Sequence, residues 1–420
     1  MARNRVIYQS QALYSVATGE MTGHQLMRVQ DVSHTVDIAR QDVNEFGKLA
    51  SISRDVVEPP TVGTDFSYYL GSGHNEAFLG FTVNGIAGGS LAPGSAGHQP
   101  YVTDTDGSEM SCISGLISED GSLYQKNLYV RTVTEGLDVD GIASGNVETV
   151  LGIGNAFITD YTLNAAVGDV PTVSISVEAT NLNVSSTISA SGGAVTGVTN
   201  PGVDNRGNKL YLSGLMGPMG YSGGANIIGN SGDQILPPGS TGWIEYSAGY
   251  GSTGVVTGAT FGALRPGEIT VQLGSGESPG VDVSGMYVQN ASVSIPLSRT
   301  SLNKIGNKYS YYKAPDFPVT CSMSVSAIVG TMMKGNVSGL LCGGSPAKDI
   351  YLNFQLPCSN QQAFQIKLKN AQLDSQNFSS SVGDNQTVDL TWSSQVGGPE
   401  DTDNGIFMNA TGASATSIAP

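Results

Sequence analysis

The sequence predicts an all-β protein with minor helix, built as two tandem antiparallel β-sandwich or barrel domains. Three observations predict it. A long segment near the start recurs late in the chain. The recurring stretches alternate apolar and polar residues with period two, the mark of strands with one buried and one wet face. The composition is rich in turn formers and poor in charge, with 56 Gly and only 13% charged residues among 420, unlike a helical enzyme.

The repeat is legible residue by residue. Val29, Gln30, Ser33, Arg40, Asn44, Gly47 and Pro59 meet Val288, Gln289, Ser292, Arg299, Asn303, Gly306 and Pro318 at one offset (299 − 40 = 259). The match continues with smaller offsets as the second copy loses loop. Ser114-Gly115-Leu116 meets Ser338-Gly339-Leu340 (338 − 114 = 224), and Lys126 and Tyr129 meet Lys348 and Tyr351 (348 − 126 = 222). Asn155-Ala156 meets Asn370-Ala371, and Val167-Gly168-Asp169 meets Val382-Gly383-Asp384 (384 − 169 = 215). A period this long means two domains, not a solenoid of short repeats. The boundaries read as 1–180 for the first domain, 181–264 for a Gly/Ser-rich connector or small insertion, and 265–420 for the second domain.

Element by element, the chain opens with a strand-like Val6 to Tyr14. In the next strand Val32, His34, Val36 and Ile38 face one way, matched by Ala291, Val293, Ile295 and Leu297. Its other face carries Asp31, Ser33, Thr35 and Asp37, matched by Asn290, Ser292, Ser294 and Pro296. His34 on that apolar face reads as a core histidine. A second pair sets Val62, Thr64, Phe66, Tyr68 and Leu70 against Cys321, Met323, Val325, Ala327 and Val329. Its wet side holds Thr61, Gly63, Asp65 and Ser67 against Thr320, Ser322, Ser324 and Ser326. Leu151 and Ile153 match Ile366 and Leu368; Val173, Ile175 and Val177 match Val388, Leu390 and Trp392. Ser111 to Ser118 and Asn336 to Cys342 read as one short helix per copy, capped by Ser111 and Asn336.

Between the first two strands of each copy lies a long loop, with nineteen residues from Arg40 to Pro59 (59 − 40). Gly47 and Gly306 suit a turn with positive φ. Loops longer than a compact fold requires are commonly contact loops. The first copy carries an insertion at about 71–110, rich in Gly, Ser and Asp. The connector shows only strand-like fragments at Lys209 to Leu212 and Trp243 to Tyr246, and the tail from Asp401 reads as a loosely held terminus.

No catalytic constellation is visible, so the chain is read as no enzyme, with no cofactor and no metal. The cysteines Cys112, Cys321, Cys342 and Cys358 lack metal-ligand spacing and read as small buried hydrophobes. Asp104-x-Asp106-Gly107 and Asp401-x-Asp403-x-Gly405 lack the bidentate Glu of a calcium loop and read as turns. Gly152-x-Gly154 lacks the third glycine of a dinucleotide site. No apolar run suggests a signal peptide or a membrane span, which points to assembly in the cytoplasm. The net charge of −16 disfavours a protein that grips DNA, because phosphate neutralisation needs a basic surface. It does not disfavour one that lets DNA pass.

The strings R-Q-D-V-N-E-F-G-K-L-A, K-N-L-Y-V-R-T-V and I-G-N-A-F-I-T-D-Y, with S-I-P-L-S-R-T-S-L-N-K-I-G in the second copy, resemble the major tail tube proteins of long-tailed bacteriophages. The resemblance covers both copies but not the connector. It implies a structural protein of the virion tail, assembled in the host cytoplasm. Its subunits form stacked rings whose inner strands make a hollow tube for the genome. Six-fold rings of one-domain subunits become, for a duplicated chain, three subunits in pseudo-six-fold symmetry. The implied partners are further copies of the chain, a tape-measure protein, tail-tip and terminator proteins, and viral DNA passing without specific binding; no membrane is implied. On this reading Asp31, Ser33, Thr35, Asp37, Asp65, Ser292, Ser294, Ser322, Ser324 and Ser326 line the lumen. Arg40, Asn44, Gly47, Arg299, Asn303 and Gly306 mark the subunit or ring contact loops. The alternative is a capsid-decorating or fibre-like host-binding protein using the Gly-rich inserts; a secreted carbohydrate-active enzyme lacks both a signal and an acid pair.

Overall fold

A computed structural model of the chain describes residues 11–17, 23–71, 73–84, 111–117, 125–133, 147–186, 198–199, 234–235, 243–244, 267, 269–273, 286–303, 305, 310, 312–329, 348–355, 362–380, 385–399 and 401–410. It is an all-β protein of large antiparallel sheets, with two short helices among the described residues.

The first copy comprises β1 (Gln11–Ala17), β2 (Gly23–Gln25), β3 (Val29–Asp37), β4 (Arg40–Val43), β5 (Ser53–Val56) and β6 (Thr61–Tyr69). Helix α1 (His74–Leu79), β7 (Val83–Asn84), helix α2 (Ser114–Ile117), β8 (Lys126–Val133), β9 (Val147–Ala166), β10 (Thr172–Ala179) and β11 (Asn181–Ser186) follow. Three two-residue strands come next: β12 (Val198–Thr199), β13 (Gln234–Ile235) and β14 (Trp243–Ile244). The second copy runs through β15 (Ile269–Leu273), β16 (Met286–Pro296), β17 (Arg299–Leu302), β18 (Tyr312–Pro315) and β19 (Val319–Val329). It closes with β20 (Lys348–Gln355), β21 (Gln362–Ser379), β22 (Thr387–Val396) and β23 (Gly405–Ala410).

The described strands of the two copies pair in the same order, although β2 has no described counterpart. One layer of the first copy runs β2-β1-β8-β9-β11. The second copy builds the matching β15-β20-β21-β23. The irregularities repeat as well. Asn155 and Asn370 both adopt a left-handed backbone, φ 54° and 55°. Each donates its N–H to a side chain at matched places, Asn155 to Asn127 Oδ1 at 3.0 Å and Asn370 to Asp349 Oδ1 at 3.1 Å. A bulge follows in each, where β9 skips from Ile158 to Asp160 and β21 from Leu373 to Ser375. A left-handed residue and a bulge bend and twist a strand. This is how β9 and β21 leave one layer and enter the other.

The other layer is a single continuous sheet. Its order is β3-β6-β10-β9 from the first copy, then β16-β19-β22-β21 from the second. Hydrophobic alternation explains why its one face is core: Val62, Phe66 and Tyr68 on β6, Val173 and Ile175 on β10, and Cys321, Met323 and Val325 on β19 are all buried. They form one apolar cluster with residues of both other layers, such as Leu128, Ile153, Leu352 and Ile366.

Several sequence expectations need correction. The insertion is not merely loop. Its start folds as α1, bracketed by Gly73 and Gly80 with positive φ, and β7 pairs with β23; 72 and 85–110 lie outside the described residues. Glu76 of α1 is fully buried and accepts from Tyr68 Oη at 2.8 Å and Tyr161 Oη at 3.5 Å. Burial pushes its carboxyl above the usual range. The tail is not loose between 401 and 410. β23 is buried throughout, and Asp401 Oδ1 organises its approach by accepting from the N–H groups of Asp403 and Asn404, each at 3.0 Å. The chain from Asn181, expected as connector, pairs as β11 with β9. The short helix predicted at 111–118 is α2; its counterpart at 336–342 lies outside the described residues. So do Lys209 to Leu212 and Asp104, whereas Trp243 begins β14.

Candidate assembly interface

Two copies in one sheet create a seam between them. Across it β9 and β16 pair at Asp160↔Pro296, Thr162↔Ser294, Leu163↔Val293 and Ala165↔Ala291. Leu297 N–H donates to Thr159 O at 2.8 Å, and Val167 N–H donates to Gln289 O at 2.9 Å. Backbone groups alternate sides along a strand, so the odd-numbered residues 289–297 point their amides and carbonyls toward β9.

The sheet also has two ends. Among the described residues, β3 and the 372–379 stretch of β21 each have a strand partner on one side only. By position β3 corresponds to β16, and this stretch of β21 corresponds to the end of β9. The two ends are therefore the repeat counterparts of the two strands that meet at the internal seam, and they lie at opposite edges of one sheet. The side chains agree. His34 is exposed, and Val36 and Ile38 are each 47% exposed, not core as expected, while their counterparts Val293, Ile295 and Leu297 are 0–1% exposed. Phe378 on the far edge is 40% exposed against 0% for its counterpart Leu163. Among the described residues, β3 lacks the neighbour that β9 provides for β16.

The polar face of the sheet is built from cross-strand rows, one running Asp31, Ser67, Ser174, Thr162, Ser294, Ser322 and Ser393. Asp31 accepts from both the amide and the hydroxyl of Ser67, the former at 2.7 Å, and Ser324 shares a hydrogen bond with Thr391 at 3.1 Å. Of the residues expected on this face, Asp31, Ser33, Thr35, Asp37 and Asp65 are exposed, and Ser292, Ser294, Ser322, Ser324 and Ser326 are half-buried. None of the outward positions of the eight strands carries Lys or Arg; Asp160 and Asp389 add further acid. Lys367 and Lys369 lie on the other layer, Lys367 3.1 Å from Asp349 and Lys369 bonded to Thr402 O at 2.7 Å.

The expected contact loops are β-hairpins. β4 pairs with β5, and β17 with β18. The two lie in different surroundings. The second hairpin crosses the internal seam onto the first copy: Arg299 donates to Leu116 O, and its guanidinium lies 5.1 Å from the Phe157 ring centre. Lys313 lies 5.5 Å from the same ring and pairs with Glu178. The first hairpin is exposed along nearly all of its length, including Arg40, Asn44 and Gly47. Gly47 has φ +89° with open space around it, so its turn geometry requires it. At the tips, Phe46, Leu49 and Ile305 are fully exposed, and Phe46 and Ile305 are repeat counterparts (305 − 46 = 259). Asn303 is exposed; Gly306 lies outside the described residues. Sequence reasoning did not find the open edges, because the pairing order of strands is not written in any one segment.

The described cysteines, Cys112 and Cys321, are buried, and burial pushes the Cys321 thiol up to about 12. No group of three His, Cys, Asp or Glu among the described residues is placed to hold a metal ion, and no helix among them is long and apolar enough to cross a membrane.

No protein-family model matches the chain, and no curated protein matches it in sequence. Among solved structures it is similar to the anti-feeding prophage cap, a tube-terminating cap, with a TM-score of 0.25 and 11% identity over 38% of this chain and 99% of that one. A likeness that shallow establishes neither a shared fold nor a shared role.

Proposed function

We propose that this chain is the ring-forming subunit of a tail tube, a structural virion protein whose stacked rings make the channel through which phage DNA passes. The observation that carries the reading is the pair of complementary open edges, because the chain already contains the seam that would join them. Head-to-tail contacts of this kind close into rings when the rotation allows, and a closed barrel leaves no free edge. Three chains contribute about 24 inner strands (3 × 8). At a strand spacing of about 4.8 Å they enclose a barrel roughly 40 Å across, backbone to backbone.

The polar face suits a lumen. A polyanion with a charge about every 1.7 Å of axis would stick to lysines and slides past serines and aspartates. Asp31, Ser33, Thr35, Asp37, Asp65 and the serines of β16 and β19 line the channel on this reading. The exposed tips at Phe46, Leu49 and Ile305 meet the next ring. The tape-measure protein occupies the lumen during assembly, and tail-tip and terminator proteins close the ends.

Negative-stain electron microscopy of the concentrated, purified protein tests the reading. Rings of three-fold or pseudo-six-fold outline, stacking into hollow tubes, are expected. Discrete compact oligomers that never stack would move the assignment to capsid decoration or host binding.

A further inference from the structure

The two hairpins carry cations at two matched positions but different counter-charges. Arg40 and Arg54 stand where the second hairpin has Arg299 and Lys313 (299 − 40 = 313 − 54 = 259). In the second hairpin the acid comes from the surface being clamped, Glu178. In the first hairpin the acid comes from the hairpin itself: Arg54 Nε lies 2.6 Å from Asp42 Oδ1, both groups at least half exposed. The repeat counterpart of Asp42 is Ser301 (301 − 42 = 259), and that of Glu178 is Ser393 (393 − 178 = 215). The acid has moved across the seam: where the receiving strand lost it, the arm gained it. The aromatic ring is lost too, since Phe157 corresponds to Gln372 (372 − 157 = 215).

We propose that the arm 40–56 clamps a second copy of this chain at its Gln372 and Ser393 surface, with Asp42 acting as the arm's own counter-ion. The inference rests on the ring reading above and adds the chemistry of its contact. An arm that carries its own acid keeps Arg54 paired while the subunit is free. The clamp it makes has no ring to lie on and no acid at the position of Glu178, so the joint between chains is looser than the joint within the chain. Subunits therefore remain separate until concentration or an initiating surface brings them together, whereas the two copies of one chain never part.

The test is a double-mutant cycle on full-length protein, read as the lowest concentration at which rings appear in sedimentation velocity. Asp42→Ser is expected to raise that threshold about five-fold, the scale of one exposed ion pair repeated around a ring. Adding Ser393→Glu, which copies the internal seam, is expected to restore it or lower it below wild type. Ser174→Glu, which adds the same charge elsewhere on the sheet face, does not restore it. The proposal is overturned if Asp42→Ser leaves the threshold unchanged, or if Ser174→Glu rescues as well as Ser393→Glu. Wild-type protein that forms no ring at any concentration removes the ring reading, and this inference goes with it.

Discussion

β3 and β16 occupy the same place in their copies, yet one is naked and the other is core. Ile295 and Leu297 are 0% and 1% exposed, whereas Val36 and Ile38 are each 47% exposed. The sequences do not account for this, since both strands present apolar residues on that face. The neighbour does: β16 lies against β9, and among the described residues β3 has only β6 beside it. On the proposed ring, the internal seam serves as a picture of the contact that the outer edge makes. The hairpins tell the same story, one docked and one free.

Proline separates the two strands most sharply. On β16 the odd-numbered amides point into the seam, so Ile295→Pro removes a buried ladder bond and should destabilise the chain by about 3 kcal/mol or more. On β3 the matching amides at the even positions point outward. Val36→Pro should therefore leave thermal unfolding within about 1 kcal/mol of wild type while abolishing rings. Loss of both rings and fold in Val36→Pro would break the comparison.

The tips come next. Phe46→Asp combined with Ile305→Asp should give rings of normal outline that do not stack, seen as isolated annuli by microscopy. A smaller effect is expected in the lumen. Asp31→Lys with Asp37→Lys should leave rings and tubes intact but slow genome delivery in infectivity assays; unchanged delivery would count against the lining.

The smallest effect lies far from any edge. Glu76 is buried with its carboxyl raised above the ordinary value, chiefly by desolvation. The folded state then holds a proton that the unfolded chain releases above its own pKa near 4.5. Stability contributed by this group is present below that pH and is lost as pH rises toward the folded value. Glu76→Gln should flatten that fall in chemical denaturation, with little change at low pH. Asp401 runs the other way. The backbone donors around it hold it below its usual value, outweighing its partial desolvation, so Asp401→Ala should cost stability above that range and nothing below it.

Much of the fold was legible because the repeat preserved the residues that local geometry demands. Asn155 and Asn370 supply left-handed backbone at the bend between layers, and alternation in β6, β10, β19 and β22 marked the core face correctly. The misreadings share a cause in long-range partners. His34, Val36 and Ile38 read as core because their pattern is that of core, and only the strand order shows that β3 is an end, whereas Val32 does pack against the core. The short α1 hid in a segment rich in glycine, although Gly73 and Gly80 were punctuating it. The run from Asp401 looked like a frayed terminus because its strand character depends on β21 and on a turn closed by one carboxylate. The spans around Arg40, Gly47, Arg299 and Asn303 read as loops, and their hairpin pairing stayed hidden because it involves residues too polar to alternate.

The most direct measurement is disulfide trapping at the outer seam. The internal pair Thr162↔Ser294 maps onto Asn377 and Thr35 (377 − 162 = 215; 294 − 35 = 259), at a cross-strand Cα spacing of about 4.5–5.5 Å that a disulfide can span. Thr35→Cys with Asn377→Cys, oxidised in the assembled state, should give a closed covalent oligomer of three chains on a non-reducing gel. The one-residue slip, Thr35→Cys with Phe378→Cys, should give little. Equal yield from both pairs, or protein that stays a single chain under tube-forming conditions, would contradict the edge-to-edge account.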